Sequence, residues 1–469
     1  MLSETATVTA PVRRDPPRLS FRHPLGALPQ LRENPLRFLT DLAHRHGDIV
    51  EFRVGPYRAV FLRHPEAVKH VLVDNNHNYD KQTRGYDVLR AFLGNGLLTS
   101  EGEFWRRQRR IAQPAFHRKR IAGFATTIVS DTQEMLDRWD HTAGLGHTLD
   151  VAHEMMTLTL RIVATTLFTT DVARVSDEVG NAVTVLNKWA DKTLDSLLPI
   201  GFPTPNNLRA RGFAKRLDVI IADIIARRRQ GEAGNAEDLL AMLMEAKDAD
   251  TGEGMTDRQL RDEVMTIFLA GHETTANALA WTFYLLSTHP HVERRVRAEL
   301  DAVLDDRPPA LEDLGKLPYL LQVLKESMRL YPPAWTIDRH TIADDEVMGY
   351  RIRKGSLVLV SPFVTHRHPA FWPNPEGFDP ERFEPALEDA RPRYAYFPFG
   401  GGPRMCIGSN FAMMEAQLIT AAVLQRFRTW LVPGHPVEPQ PLITLRPRFG
   451  LEMGLTPMRP LVRDIAAAE

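Results

Sequence analysis

Only one cysteine, Cys406, occurs in the 469 residues, which excludes an internal disulfide and fits a chain kept in a reducing cytoplasm. Long apolar runs are also missing. The first forty residues carry Arg13, Arg14, Asp15 and several prolines, which argues against a signal peptide or membrane anchor. Charge of one sign is not in excess: 58 Lys and Arg face 59 Asp and Glu, so neither nucleic acid nor an anionic membrane is expected as a partner. There is no internal repeat and no Gly/Ser linker. With 43% hydrophobic and 25% charged residues, the chain has the balance of a folded globular enzyme. The expected organisation is an extended arm over 1–30 and a single domain over 31–469.

Along the chain, DIVEFRVGPYRAVFL from Asp48 to Leu62 reads as a β-hairpin split at Gly55-Pro56. Helical periodicity then dominates, over Glu103–Arg120, Glu154–Thr170, Arg209–Gln230 and Met255–Thr288. After Arg339 the β-branched alternation of VMGYRIRKGSLVLVSPFV predicts a short sheet. From His366 to Phe399 seven prolines, from Pro369 to Pro398, predict a long ordered loop rather than a helix or central strand. The fold class is therefore mostly α with small β-sheets, an α+β chain.

That loop ends in FPFGGGPRMCIGSNFAMMEAQL, where glycines and Pro403 precede Cys406 and a helical pattern follows it. A lone cysteine is most often a small buried apolar residue, and a nucleophilic thiol paired with a distant histidine is a second possibility. At a helix N-terminus, with Arg404 nearby, the thiolate is favoured below its usual pKa of about 8.5. Five positions within ten residues, Phe399, Gly402, Arg404, Cys406 and Gly408, match the F-x-x-G-x-R-x-C-x-G signature, and on them the chain resembles the cytochromes P450. The resemblance implies that Cys406 is the axial ligand of a haem b iron, pushing electron density into it, and that Arg404 bonds a haem propionate.

In VMTIFLAGHETTANALAWTFYLL, the polar run His272, Glu273, Thr274, Thr275 interrupts a core-like helix. Four consecutive residues spread around a helix axis, so some must face inward, where polar groups need partners. His272-Glu273 begins like a zinc H-E-x-x-H motif, but its second histidine position is Ala276. The stretch Ala270, Gly271, Glu273, Thr274 and Thr275 is similar instead to the P450 oxygen-binding helix. That likeness implies a groove at Ala270 and Gly271, a Thr274 hydroxyl that serves bound dioxygen, and a Glu273 carboxyl that relays protons.

The same resemblance carries to other residues. Glu326 and Arg329 in KESMRL, three apart on a helix and in isolation readable as a surface ion pair, match E-x-x-R; with Arg382 in FDPERF they make the family's triad. Trp105 and Arg109 match W-x-x-x-R, and with Lys81 and Arg339 they are implied propionate partners. Ala334, Trp335 and Leu445 are implied walls of the substrate pocket, and Arg84–Leu98 its lid. Arg106, Arg107, Arg110, Arg118, Lys119 and Arg120 form the densest basic run, which is a solvated face or a docking site for an acidic electron donor.

As a whole the likeness implies the P450 fold and a monooxygenase that hydroxylates a C–H bond or epoxidises a double bond of a hydrophobic small molecule, such as a fatty acid, terpenoid or carotenoid. Chain and motif end close together, so electrons are expected from a separate ferredoxin or flavodoxin with an NAD(P)H-dependent reductase, and the enzyme is expected to be monomeric. The alternatives are a haem-thiolate sensor or carrier without turnover, a peroxide-driven peroxygenase, a rearranging isomerase and a haem-free cysteine hydrolase.

Overall fold

The computed structural model describes residues 14–168, 182, 185–190, 192–194, 196, 198–231 and 238–458; residues 1–13 of the expected arm and the expected helix end at Thr169 and Thr170 lie outside them. The chain divides into two compact units, one from 14–83, 336–373 and 392–405, the other from 84–335, 374–391 and the residues from Cys406 onward.

The first unit is built on a five-stranded sheet. Ile49–Val54 and Tyr57–Leu62 pair antiparallel, in register from Ile49 against Leu62 to Val54 against Tyr57, and Gly55 takes the left-handed conformation (φ 57°) that the tight turn demands. Tyr57–Leu62 pairs in parallel with Leu357–Val360, followed in order by Ile337–Thr341 and Tyr79–Asp80. The alternating segment after Arg339 thus contributes to the same sheet as the N-terminal hairpin. Apolar faces of these strands bury Val60, Leu62, Val358 and Val360 with Val68, Leu72, Tyr394 and Phe397. Residues 14–26 of the arm form single bridges along the hairpin and at Tyr350.

The proline-rich segment is ordered by side chains aimed at its backbone. His366 Nε2 accepts from the Phe397 N–H at 2.9 Å, and the fully buried Trp372 donates its indole N–H to Ala395 O at 3.2 Å. It is not helix-free: Pro380–Phe383 and Pro385–Asp389 are short helical turns. Each begins on the proline itself, where the missing N–H would have had no helical partner.

The second unit is helical around Asp257–Thr288. Thr256 caps its start: Thr256 Oγ1 accepts from Gln259 N–H while Gln259 Oε1 accepts from Thr256 N–H. Twenty-one of its residues are buried, so tertiary packing on nearly all sides stabilises a helix that is only weakly amphipathic. Val151–Phe168 lies against it so closely that a Cβ on Gly271 would stand 3.0 Å from Val163 Cγ2. Ser409–Arg426 is buried along most of its length and joins Met135, Trp139, Leu279, Phe283, Leu320 and Leu324 in one apolar core. The expected helix Glu103–Arg120 is instead Gly102–Ala112, a 3₁₀ turn at Gln113–Phe116 and a short helix Arg118–Ile121, broken at Pro114 and at His117, which is extended (ψ 141°). Among the described residues no helix is long and apolar enough to cross a membrane.

Candidate active site

Cys406 stands two residues before Gly408, the N-cap of Ser409–Arg426, so its sulfur meets the positive end of a long helix. The side chain is accessible, yet its surroundings are protein: desolvation pushes the thiol pKa up, opposed by the Gly408 N–H and by Arg109. Accessible and desolvated together describe a thiol on an internal wall. The expected lowering does not hold for the polypeptide alone. Arg109 is a cation that acts on the sulfur within this unit, and a metal bound there would favour the thiolate further.

In the first unit, Gly402 is fixed by two constraints. Its φ is 64°, and a Cβ there would stand 1.9 Å from the Leu72 carbonyl oxygen; only glycine fits. Gly408 differs, since its Cβ would meet nothing closer than Phe116 at 4.0 Å. The space that the signature keeps open at Gly408 is therefore not demanded by packing within the protein. Phe399 and Arg404 are half-buried.

On the long helix Ala270 is exposed and Thr274 partly so, while Leu269, His272, Glu273 and Thr275 are buried. Ala270 and Thr274, one turn apart, make an open strip on an otherwise covered helix. Thr274 Oγ1 donates to Ala270 O at 2.7 Å, which fixes its rotamer and leaves its lone pairs available. Gly271 does not open this strip, because its missing side chain admits Val163. Glu273 is buried and accepts from Asn187 Nδ2 and from Thr444 Oγ1, each at 2.6 Å. Burial holds His272 below its usual pKa, and its Nδ1 lies 3.0 Å from Phe268 O, so it is a neutral ring donating there.

Glu326 and Arg329 are fully buried. Arg329 binds Glu326 in a two-pronged pair at 2.7 and 2.8 Å and donates to Pro375 O at 2.6 Å and Gly377 O at 2.8 Å. Asp379 N–H adds a bond to Glu326 at 3.0 Å, and Arg382 approaches the same carboxylate at 3.4 Å. Desolvation pushes the Glu326 carboxyl up, with Arg329 the main opposing influence. The three residues come together as expected from their motifs, and two of Arg329's bonds go to the backbone of 374–391.

The other basic and aromatic residues divide between the units. Lys81 and Arg339 are buried in the first; Trp105 is buried and Arg109 half-buried in the second, where burial lowers the Arg109 pKa and Cys406 raises it. Of the pocket residues, Ala334 is exposed and Trp335 partly so, its indole donating to Leu442 O at 2.8 Å. Leu445 is fully buried; its side chain offers no free wall, and the partly exposed Leu442 and Ile443 present that turn's surface instead. The segment Arg84–Leu98 is a helix to Leu93 and then a loop whose Asn95 and Leu97 N–H groups donate to Asp262 and Glu263. Half of the basic run is paired: Arg106 with Glu103, Arg107 with Glu253 at 3.1 Å, and Arg110 with Asp248 at 2.8 Å and Asp250 at 3.0 Å. Arg118, Lys119 and Arg120 are exposed.

An accessible thiol at a helix N-terminus, a cation acting on it, an unfilled space at Gly408 and an open strip of small and hydroxyl side chains fit a haem held through sulfur. Sequence reading missed Asn187 and Thr444, since no local pattern ties residues 86 and 171 positions away to Glu273; it also missed Asn277, whose spacing of four places it on the same helix face.

The cytochrome P450 family model matches residues 16–450. The chain is 40% identical over 415 residues to cyclooctat-9-en-7-ol 5-monooxygenase of Streptomyces melanosporofaciens, covering 87% of this chain and 88% of that protein. It is 35% identical to pentalenene oxygenase of Streptomyces avermitilis, with 93% and 97% covered. A crystal structure of the cytochrome P450DA heme domain superposes with a TM-score of 0.87 at 27% identity, over 95% of this chain and 98% of that one. By fold and by sequence over nearly its whole length, the chain belongs to the cytochrome P450 family and is a haem b-dependent monooxygenase.

Proposed function

We propose that the natural substrate is a terpenoid, a largely apolar and polycyclic hydrocarbon or alcohol, hydroxylated or epoxidised at one position. The observation that carries this reading is the pair of terpenoid-oxidising relatives, which align along almost the whole chain. Supporting it, Ala334, Trp335, Leu442 and Ile443 offer an apolar surface in which the indole N–H is already spent on a carbonyl; such a wall selects shape and apolar area rather than charge. Fatty acids would call for a cation to meet the carboxylate.

Haem, when bound through Cys406, supplies oxygen activation. By the family likeness Trp105, Arg109, Lys81, Arg339 and Arg404 would bind the propionates; within the second unit Ala270 would leave room, Thr274 would accept a hydrogen bond on its open side and Glu273 would pass protons inward. Glu326, Arg329 and Arg382 brace the segment 374–391 within the second unit. Residues 31–469 act as one catalytic domain, and the enzyme acts as a cytoplasmic monomer. Electrons come from an acidic ferredoxin or flavodoxin with its NAD(P)H-dependent reductase, docking on Arg118, Lys119 and Arg120, whose charges no ion pair offsets among the described residues.

A panel of cyclic terpenes, terpene alcohols and fatty acids tests the substrate class. The expected result is a haem spin-state shift with the terpenes, and oxidised terpene products when donor proteins and NAD(P)H are supplied. Shifts and products with fatty acids alone would overturn it.

A further inference from the structure

The carboxylate of the long helix is already engaged at both oxygens. Asn187 Nδ2 donates to Glu273 Oε2 and Thr444 Oγ1 to Oε1, each at 2.6 Å, and Glu273 is 5% exposed. Thr444 Oγ1 in turn accepts from Asn277 Nδ2 at 3.0 Å. Glu273, Asn277 and Trp281 are spaced by four and share one helix face, and Trp281 Nε1 donates to Leu445 O at 3.0 Å. From the other side the same turn is tied by Leu445 N–H to Pro333 O at 2.9 Å and by Trp335 Nε1 to Leu442 O at 2.8 Å. One short turn thus connects the acid of the long helix to the segment Pro333–Trp335.

The neighbours of Glu273 do not compete for it. Thr274 donates to Ala270 O and Thr275 to Gly271 O at 3.1 Å, while His272 has its Nδ1 on Phe268 O. Short bonds to a carboxylate are charge-assisted and are the stronger kind. Two of them in a buried site restrict the side chain to one placement.

We propose that Thr444 and Asn187 are positioning residues for Glu273: they hold its carboxylate in the placement from which it passes protons. Thr444 further links that placement to the substrate wall at Trp335 and Leu442, so substrate seated there adjusts proton delivery. The inference rests on the reading that Glu273 passes protons inward. Its chemical content is that coupling of electron use to product depends on a turn that never touches the reacting atoms.

The test compares Thr444→Val, Thr444→Ser and Asn187→Leu, each alone and in a Glu273→Gln background. Product formed per NAD(P)H, peroxide released, the substrate dissociation constant from the spin-state shift, and amide hydrogen exchange of residues 442–446 in the holoenzyme are measured. Expected is a drop in product per NAD(P)H of about threefold or more for Thr444→Val and for Asn187→Leu, with peroxide rising and the dissociation constant changing by less than about twofold. Thr444→Ser restores coupling. Amide exchange at 442–446 speeds up in Thr444→Val, and neither replacement adds to the effect of Glu273→Gln, because residues acting through one group are non-additive. Effects that multiply in the Glu273→Gln background, or a Thr444→Val protein that loses affinity but not coupling, would overturn the proposal while leaving the proton role intact. A Glu273→Gln protein with full coupling would overturn that role, and the proposal with it.

Discussion

Arg329→Met should be among the most damaging single changes outside the haem ligand. The guanidinium is fully buried and donates at 2.6 to 2.8 Å to both oxygens of Glu326 and to the carbonyls of Pro375 and Gly377. Methionine matches its length but none of its donors. Glu326, itself fully buried, would keep the Asp379 N–H at 3.0 Å and Arg382 at 3.4 Å, with the charge of Arg391 also acting on it. Breaking a buried pair by removing one partner costs about 3–5 kcal/mol, and two stranded carbonyls add about 1 kcal/mol or more each. The double variant Glu326→Leu/Arg329→Met removes the stranded charge, so it should recover about half of the loss. Urea midpoints and the fraction of chain that retains haem measure both variants. If Arg329→Met alone stays within about 1 kcal/mol of the natural protein, the claim that this pair is a buried, mutually dependent unit is refuted.

Gly402→Ala should destabilise by more than about 2 kcal/mol, because left-handed strain of about 1–2 kcal/mol adds to the overlap with Leu72 O; a urea midpoint unchanged from the natural protein would contradict this. Glu415 is fully buried and desolvation pushes its carboxyl up to about 8 from an ordinary value of 4.5, with Thr275 opposing. The folded chain therefore binds a proton between those values that the unfolded chain releases, and stability falls as pH rises through that window, by up to about 3 kcal/mol at pH 7. Glu415→Gln should flatten the dependence of the urea midpoint on pH between about 5 and 8, and an equally steep slope in the variant would show that another group is responsible. Reversing Arg118, Lys119 and Arg120 to Glu should slow reduction by an acidic donor at least about tenfold at low salt, with the gap closing as salt screens it, whereas Arg107→Ala, whose charge already faces Glu253, should leave the stopped-flow rate nearly unchanged.

The chemistry-bearing residues were legible because they lie in short motifs whose spacing is set locally: the cysteine loop over ten residues, E-x-x-R and W-x-x-x-R over one helical turn. Helices with sustained periodicity were equally readable, as at 205–229 and 257–288. Breaks that depend on one residue's backbone were harder. The helix expected to continue to Arg120 stops at Ala112, since Pro114 and the extended His117 override the apolar pattern. Tertiary facts were not legible at all. Gly271 reads as an opening in the helix but serves contact with Val163; Leu445 reads as a pocket wall but is wholly covered; the basic run reads as a free patch, yet half of it is paired with Glu103, Asp248, Asp250 and Glu253. The bonds of Glu273 to Asn187 and Thr444 span 86 and 171 positions, a separation that no periodicity encodes.

The most direct measurement is the absorption spectrum of the reduced, carbon monoxide-treated holoenzyme, taken for the natural chain and for Cys406→His. Sulfur ligation predicts a strongly red-shifted Soret band in the natural chain and its loss in the variant even where haem is retained. An unshifted band in the natural chain, or a red-shifted band that survives Cys406→His, would contradict the assignment of Cys406 as the haem ligand.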